Sequence, residues 1–535
     1  MTRQSFVREL ILFHRAMMDS LAHNFKDVSG VLGVLAFLIF LAASLAHGAD
    51  PPSVAFKAGF AERDITPEIG MEAPGGYGKA YHRSIHDPCK VRAAVFDDGQ
   101  SRVALVGIDA LGIRRDTVVK VRQAVQRKTG IPAQSILIGA SHSHSSGPIV
   151  WTLRGEYDHA SPLVQRLAYE QSTLADPKYL ARVEQALVDA IGDADEHRAA
   201  ARAGVGKGLE PTVAFNRRFR MRDGRTVTHP GLGNPDIVEP AGPVDPEVGV
   251  IGAWDAKDPH RLLGCIVNFA CHATTSPGGI SANYIHYLER AIQGYYGKNS
   301  VVVFLAGASG DITQVDNRSA YQYPGGERWA QIVGGKVGAE ALKVLLTMEP
   351  GVLAPVTART RIWEVPRRGP SAQHLKDALE IVQGDKKKVD DTTWTFAKET
   401  VVLDALLKKN PRAEVEVQAV QVGPAVFVTT PAEYFCRYGL EIKAASGFPF
   451  TFPVSLANGC VGYVPTEEAF GPQGGGYETR LTSYSNLEIT AGTQMRDAGI
   501  ALARQLTPGR VPEPPRRPPF RGKPWSYGNV PPERN

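Results

Sequence analysis

A chain of 535 residues with 43% apolar and 21% charged side chains is long and apolar enough to bury one large core or two, which excludes disordered and fibrous architectures. Its formal net charge of +5 is small for that length, and the basic residues are scattered except near the C-terminus, so nucleic acid is not an expected partner. The five cysteines, Cys89, Cys265, Cys271, Cys436 and Cys460, are odd in number and lack CxxC spacing, which excludes a disulfide scaffold and a Cys-based zinc knuckle and leaves room for one disulfide.

The first element in chain order is the apolar run LGVLAFLIFLAASLA at 32–46, followed by small residues around His47-Gly48-Ala49. It is shorter than the roughly 20 apolar residues of a stable membrane span. Residues 1–49 are therefore expected to be a secretory signal, with an uncleaved N-terminal anchor as the alternative. Either places the remainder outside the cytosol, in the periplasm or beyond the cell.

From residue 50 to 507, β-rich apolar runs alternate with segments of helical period, the pattern of an α/β domain with mixed sheets covered by helices. Strands are expected at Val103–Ile108, Ser135–Ile138, Leu263–Phe269, Ser300–Leu305 and Ala425–Thr429. Helices are expected at Thr117–Lys128, Pro177–Ile191, Tyr284–Tyr295, Glu327–Leu346 and Ala372–Val382. AEVEVQAVQV, within Asn410–Val428, alternates with a period of two and reads as strand rather than helix. Residues 508–535 are dense in Pro and Arg and cannot bury enough surface to offset their ordering entropy. They read as a solvated tail or strap, with peripheral contact to an anionic membrane or wall polymer as the alternative.

Polar clusters fall where strands end: IDAL at 108–111, GASHSHSSG at 139–147, NFACHATT at 268–275, LAGASGDIT at 305–313 and VTTPAEY at 428–434. Loops at the carboxyl ends of strands converge on ligands in α/β sheets, so one shared site is the economical expectation. His142 and His144 at i and i+2 can project from one side of an extended backbone, and imidazole is the commonest zinc ligand. Taken alone, the pair reads equally as surface histidines in a Ser-rich loop. His272 alone reads as a satisfied core residue, but beside that pair it becomes a ligand candidate. Glu433 offers a carboxylate at a strand-to-helix junction, where a purely structural role at the helix dipole is the competing reading. Tyr463 and Tyr477 sit in the Gly-rich loop GCVGYVPTEEAFGPQGGGY. Asp109 and Asp311 either orient histidines or cap loops, and Arg217, in FNRRF, is expected to be solvated.

Eight of these segments, in order from Phe56 to Leu506, resemble the catalytic domain of neutral ceramidases. They are AGFAERDITP, IHDPCKVRAAVF, VGIDAL, ASHSHSSGP, NFACHATT, GASGDIT, TPAEY and GYVPTEEAF. The resemblance implies one zinc ion bound by His142, His272, Glu433 and Tyr463, with His144 and Tyr477 as donors to the oxyanion. It also implies hydrolysis of an N-acyl bond, in ceramide or a related N-acyl lipid, to a fatty acid and a sphingosine-like amine. Zinc suits such an attack because it activates water near neutral pH and polarises the carbonyl. Where the family has a serine, this chain has Thr313, which favours zinc-activated water over an acyl-enzyme. The loop between Tyr463 and Tyr477 is two residues longer than in the family, and the Pro-rich stretch stands where the family's C-terminal β-sandwich begins. The residues leave two alternatives: a zinc hydrolase of another amide or ester, and a non-catalytic lipid- or carbohydrate-binding relative. Oligomeric state is not legible.

Overall fold

The computed structural model describes residues 56–322, 325–525, 527 and 531–534; the expected leader or anchor lies outside them. The larger sheet has eight strands: β1 (Lys57–Asp64), β2 (Lys90–Asp97), β3 (Arg102–Ile108), β4 (Ile136–Ala140), β5 (Ala199–Leu209), β6 (Glu247–Asp255), β7 (Leu262–Phe269) and β8 (Val301–Ala306). Their order is β8-β7-β6-β5-β1-β2-β3-β4. The β3–β4 and β7–β8 pairs are parallel and the other neighbours antiparallel. A second sheet orders β9 (Val356–Pro366), β10 (Arg412–Val422), β11 (Ala425–Thr429) and β12 (Phe450–Val454), with only β11–β12 parallel.

The period-two alternation of these strands sorts their side chains into separate cores. In β2, Val91, Ala93 and Val95 face one core while Ala94 and Phe96 face another. The first core is completed by the amphipathic helices Arg115–Thr129 and Pro177–Glu196, through Val118, Val121, Val183 and Leu187. Val250 and Val267 of β6 and β7 meet the helices Tyr284–Tyr296 and Gly326–Thr347 through Leu288 and Val337. Val417 and Val428 of the second sheet meet the helices Cys436–Ala445 and Ala491–Arg504 through Ile442 and Leu502. Between the helical layers, Phe96, Leu105, Ile266 and Leu305 share an inner core with Val420, Phe427 and Phe452. The mixed sheets are thus covered by helices, as expected.

Local signals explain the helix ends. Asp176 accepts the Tyr179 N–H and Pro177 opens the helix that follows, while Gly130 closes Arg115–Thr129 in the left-handed region at φ 75°. All five strands and five helices named from sequence appear, each end within five residues of its expected place, and the 410–428 segment folds as β10 and β11. All five cysteines are unpaired, so the available disulfide is not formed. The described residues of 508–535 form no helix or strand. Among the described residues, no helix is long and apolar enough to cross a membrane.

Candidate metal centre

Five chain segments that leave strands are laced together by backbone hydrogen bonds. After β4, Ser143 forms a parallel bridge with Ala273, which follows β7, and His144 N–H donates to the Ala273 carbonyl at 3.3 Å. His272 N–H donates to the Ile312 carbonyl at 3.2 Å. Leu456 N–H reaches the Ala432 carbonyl at 3.1 Å, while Ala140 N–H reaches the Leu456 carbonyl at 3.1 Å. Glu433 pairs in register with Tyr463 across a two-residue parallel bridge. Side chains far apart in sequence are thereby fixed around one point.

That point is the base of a cavity of about 50 Å³ bordered by His142, His144, Glu433, Tyr463 and Tyr477. Glu433 Oε2 lies 3.1 Å from His142 Nε2 and 3.1 Å from His272 Nε2. His144 Nε2 is 3.3 Å from His142 Nε2, and the three imidazoles offer nitrogens within 4.8 Å of one another. His144 therefore stands within reach of the same point as His142 and His272. His142 is 2% exposed and His144 half-buried, which removes the surface-histidine reading of the pair, and His272 is 1% exposed.

The other ring nitrogens settle which atoms are free. His142 Nδ1 is 2.7 Å from the Leu111 carbonyl, His272 Nδ1 is 2.7 Å from the Ser309 carbonyl, and His144 Nδ1 is 3.1 Å from the Gly75 carbonyl. A carbonyl only accepts, so each Nδ1 carries the proton and each Nε2 presents a lone pair in the neutral ring. Three lone pairs and a carboxylate then face one another. Such a set is repulsive by itself and is satisfied by a divalent cation, with backbone carbonyls orienting each ligand. The residues present fit a metal ion.

Burial alone would raise the Glu433 carboxyl, but its hydrogen bonds and charge interactions with His142 and His272 outweigh burial and hold the group well below the carboxylate range. Burial, then the positive charge of Arg217, push His272 down to about 4. Burial, then the neighbouring imidazoles, push His144 well below its ordinary value. Burial drives the Tyr463 phenol well up, and Arg217 opposes that shift.

Several placements differ from expectation. His142 has φ 64°, so the i, i+2 pair does not sit on an extended strand; a left-handed residue after β4 turns its ring toward Glu433 instead. Glu433 belongs to a strand bridge rather than to a first helical turn, since the helix begins at Cys436. Tyr477 is 36% exposed on its loop, with its hydroxyl 3.4 Å from that of Tyr77 and its ring 5.3 Å from Tyr463. Thr313 is not brought to the cavity. Its hydroxyl meets the Gln314 amide oxygen at 3.3 Å, and it pairs in a strand bridge with Phe215.

Arg217 is not solvated. It is 7% exposed, donates to Glu478 at 2.8 Å and to the Gly310 carbonyl at 2.8 Å, and sets Nη1 3.2 Å from His272 Nε2. Its guanidinium lies 5.4 Å from the Tyr463 ring centre. Nothing local in FNRRF reveals this, because its partners come from distant loops. Asp109 and Asp311 touch none of the histidines. Asp109 accepts from Arg92 at 2.7 Å and from Lys90 N–H at 2.8 Å, and Asp311 accepts from Cys436 N–H at 2.8 Å and Asn216 at 2.8 Å.

Neither family models nor curated sequences match this chain. Solved structures do, among them a ceramidase complexed with C2 and neutral ceramidase from Pseudomonas aeruginosa. Each of these two is 19% identical, superposes with a TM-score of 0.61, and is matched over 86% of this chain and 77% of its own. The chain therefore has the ceramidase-like α/β fold that its motif order implies.

Proposed function

We propose that this protein is a zinc-dependent amide hydrolase that cleaves the N-acyl bond of ceramide or a related N-acyl lipid. The observation that carries this reading is the convergence of three Nε2 lone pairs and the Glu433 carboxylate at the base of a cavity, with every Nδ1 committed to a carbonyl. His142, His272 and Glu433 would hold the ion, with Tyr463, the register partner of Glu433, as the fourth candidate. Zinc held there supplies a Lewis acid that activates water and polarises a carbonyl.

The chain's own groups account for the rest of the chemistry. Water adds its oxygen to the acyl carbon, the C–N bond breaks, and the nitrogen leaves with a proton as the free amine. His144, anchored at Nδ1 by Gly75, offers Nε2 to take a proton from the attacking water and hand it to the leaving nitrogen. The fixed charge of Arg217 behind Tyr463 favours the anionic phenolate that a ligand tyrosine requires. Tyr477, at the cavity's outer wall, is placed to donate to oxyanion charge, a contact type worth roughly 3–4 kcal/mol. The apolar run at 32–46 supports action outside the cytosol.

The reading is tested by measuring bound zinc and fatty-acid release from labelled N-acyl substrates, ceramide among them, by purified protein lacking residues 1–49. Release that disappears with a chelator and returns with zinc is the expected result. Folded, zinc-loaded protein that releases no acid from any N-acyl substrate overturns it.

A further inference from the structure

A second and larger cavity, of about 600 Å³, adjoins the metal pocket, and Trp151 and Tyr484 border both. Their rings stand 5.0 Å apart as a shared wall. A chamber of that volume accommodates a small-molecule moiety.

The charges on its lining are unevenly used. Arg114 is neutralised by Asp116 at 3.0 Å and Glu156 at 2.7 Å, and Arg115 by Glu414 at 2.7 Å and Glu416 at 2.6 Å. Those pairings engage all three carboxylates that line the chamber. Two cations remain. Arg367 has no carboxylate within ion-pair distance among the described residues; Nη1 donates to the Asn486 amide oxygen at 2.6 Å, which leaves Nη2 with no hydrogen-bond acceptor among the described residues. Lys409 reaches only the Glu156 carbonyl, at 3.4 Å. A guanidinium N–H left open on a cavity wall is a donor that an anion in the cavity can complete.

Resting on the amide-hydrolase reading, we propose that this chamber receives one arm of the substrate and that the arm carries a carboxylate, recognised by Arg367 with Lys409 at the rim. The substrate class is then an N-acyl compound with an anionic, carboxylate-bearing amine part rather than one with two apolar chains. One unpaired guanidinium with a peripheral ammonium suits a monoanion, and the guanidinium fork matches a planar carboxylate. The aromatic pair Trp151–Tyr484 would separate the anion from the scissile amide, so the spacer between them must pass one ring pair.

The test uses zinc-loaded protein and two probes of matched length, N-lauroyl-4-aminobutyrate and its neutral alcohol counterpart, N-lauroyl-4-aminobutanol. The acid is expected to be turned over at least tenfold more efficiently. Arg367→Gln and the exposed Lys409→Ala should each raise its KM several-fold while leaving kcat and the neutral probe unchanged. Calorimetric binding of aminobutyrate-type acid to the same variants gives a readout independent of turnover. A phosphate-bearing probe should bind more weakly than the acid. Equal handling of acid and alcohol, or variants that affect both alike, overturns the proposal and leaves the hydrolase reading intact. If neither probe is hydrolysed, the hydrolase reading is decided by the wider N-acyl panel that includes ceramide, and the chamber is judged by binding alone: affinity for the acid lost in Arg367→Gln supports it, and affinity unchanged sinks it.

Discussion

The backbone of Gly310 lies directly against that of Glu433: a Cβ placed on Gly310 would stand 2.3 Å from the Glu433 carbonyl oxygen. Gly310 N–H also donates to the Tyr434 carbonyl at 2.8 Å, and its own carbonyl accepts from Arg217 at 2.8 Å. The glycine of the GASGDIT segment thus sets the position of the carboxylate that faces the three candidate ligand histidines. Backbone cannot swing aside as a flexible side chain can, so Gly310→Ala must displace the Glu433 strand. The expected outcome is folded protein with zinc affinity lowered by about 10–100-fold, the range seen when a ligand's support is removed. Metal content after dialysis against graded chelator measures it, and unchanged retention would contradict the positioning role.

Removing a ligand should do more than removing its support. His142→Ala and His272→Ala each delete an Nε2 that lies 3.1 Å from Glu433. Both variants are expected to lose stoichiometric zinc and with it chelator-sensitive activity, by more than the 10–100-fold typical of a supporting hydrogen bond. Thr313→Ala is the contrasting case, since its hydroxyl faces Gln314 and not the cavity. Its turnover should stay within a few-fold of the parent. Abolished activity in Thr313→Ala with normal zinc would restore a hydroxyl-based mechanism.

Much of this architecture was readable from sequence where the physics is local. The helices around Val118–Val125 and Leu288–Ile292 announce themselves because their apolar residues recur at helical spacing on one buried face. The helix Asp391–Lys409 was not read, and its burial pattern explains why: Lys398, Glu399 and Thr400 are buried among its apolar positions. Lys398 donates to the Tyr77 carbonyl at 2.6 Å and Glu399 accepts from Ser483 at 2.6 Å, so polar residues sit inside with partners that no local period reveals. The candidate ligands were legible as strand-end clusters. Arg217 was not, because its burial depends on Glu478, 261 residues away.

Without metal, the protein should be acid-sensitive in a defined direction. Burial, then Arg217, place the folded-state pKa of His272 at about 4, below its ordinary value of 6.5. The unfolded chain therefore takes up a proton first as pH falls. The contribution of neutral His272 is fully present above about pH 6.5 and is lost progressively as pH falls toward 4. Denaturant midpoints of chelator-treated protein at pH 7, 5.5 and 4.5 should decline over that window. In His272→Gln the decline should be shallower. Equal slopes in the two proteins would remove His272 from the account.

Asp109 tests whether a carboxylate near the site serves the metal or the fold. Arg92, 2% exposed, donates to Asp109 at 2.7 Å and to Glu289 at 2.6 Å, and Lys90 joins Glu289 at 3.0 Å. Burial alone would raise the Asp109 carboxyl, and Arg92 opposes this, so the pair depends on being complete. Deleting Asp109 takes one of two carboxylates from the buried Arg92 guanidinium and leaves Glu289, so the loss is large but below the about 3–5 kcal/mol of a buried charge left wholly unpaired. Asp109→Ala is therefore expected to lower the unfolding midpoint strongly while the folded fraction keeps one zinc per chain, because no histidine of the cluster hydrogen-bonds to Asp109. Calorimetry of unfolding together with metal analysis of the folded fraction separates the two roles. Normal stability with lost zinc would assign Asp109 to the metal after all.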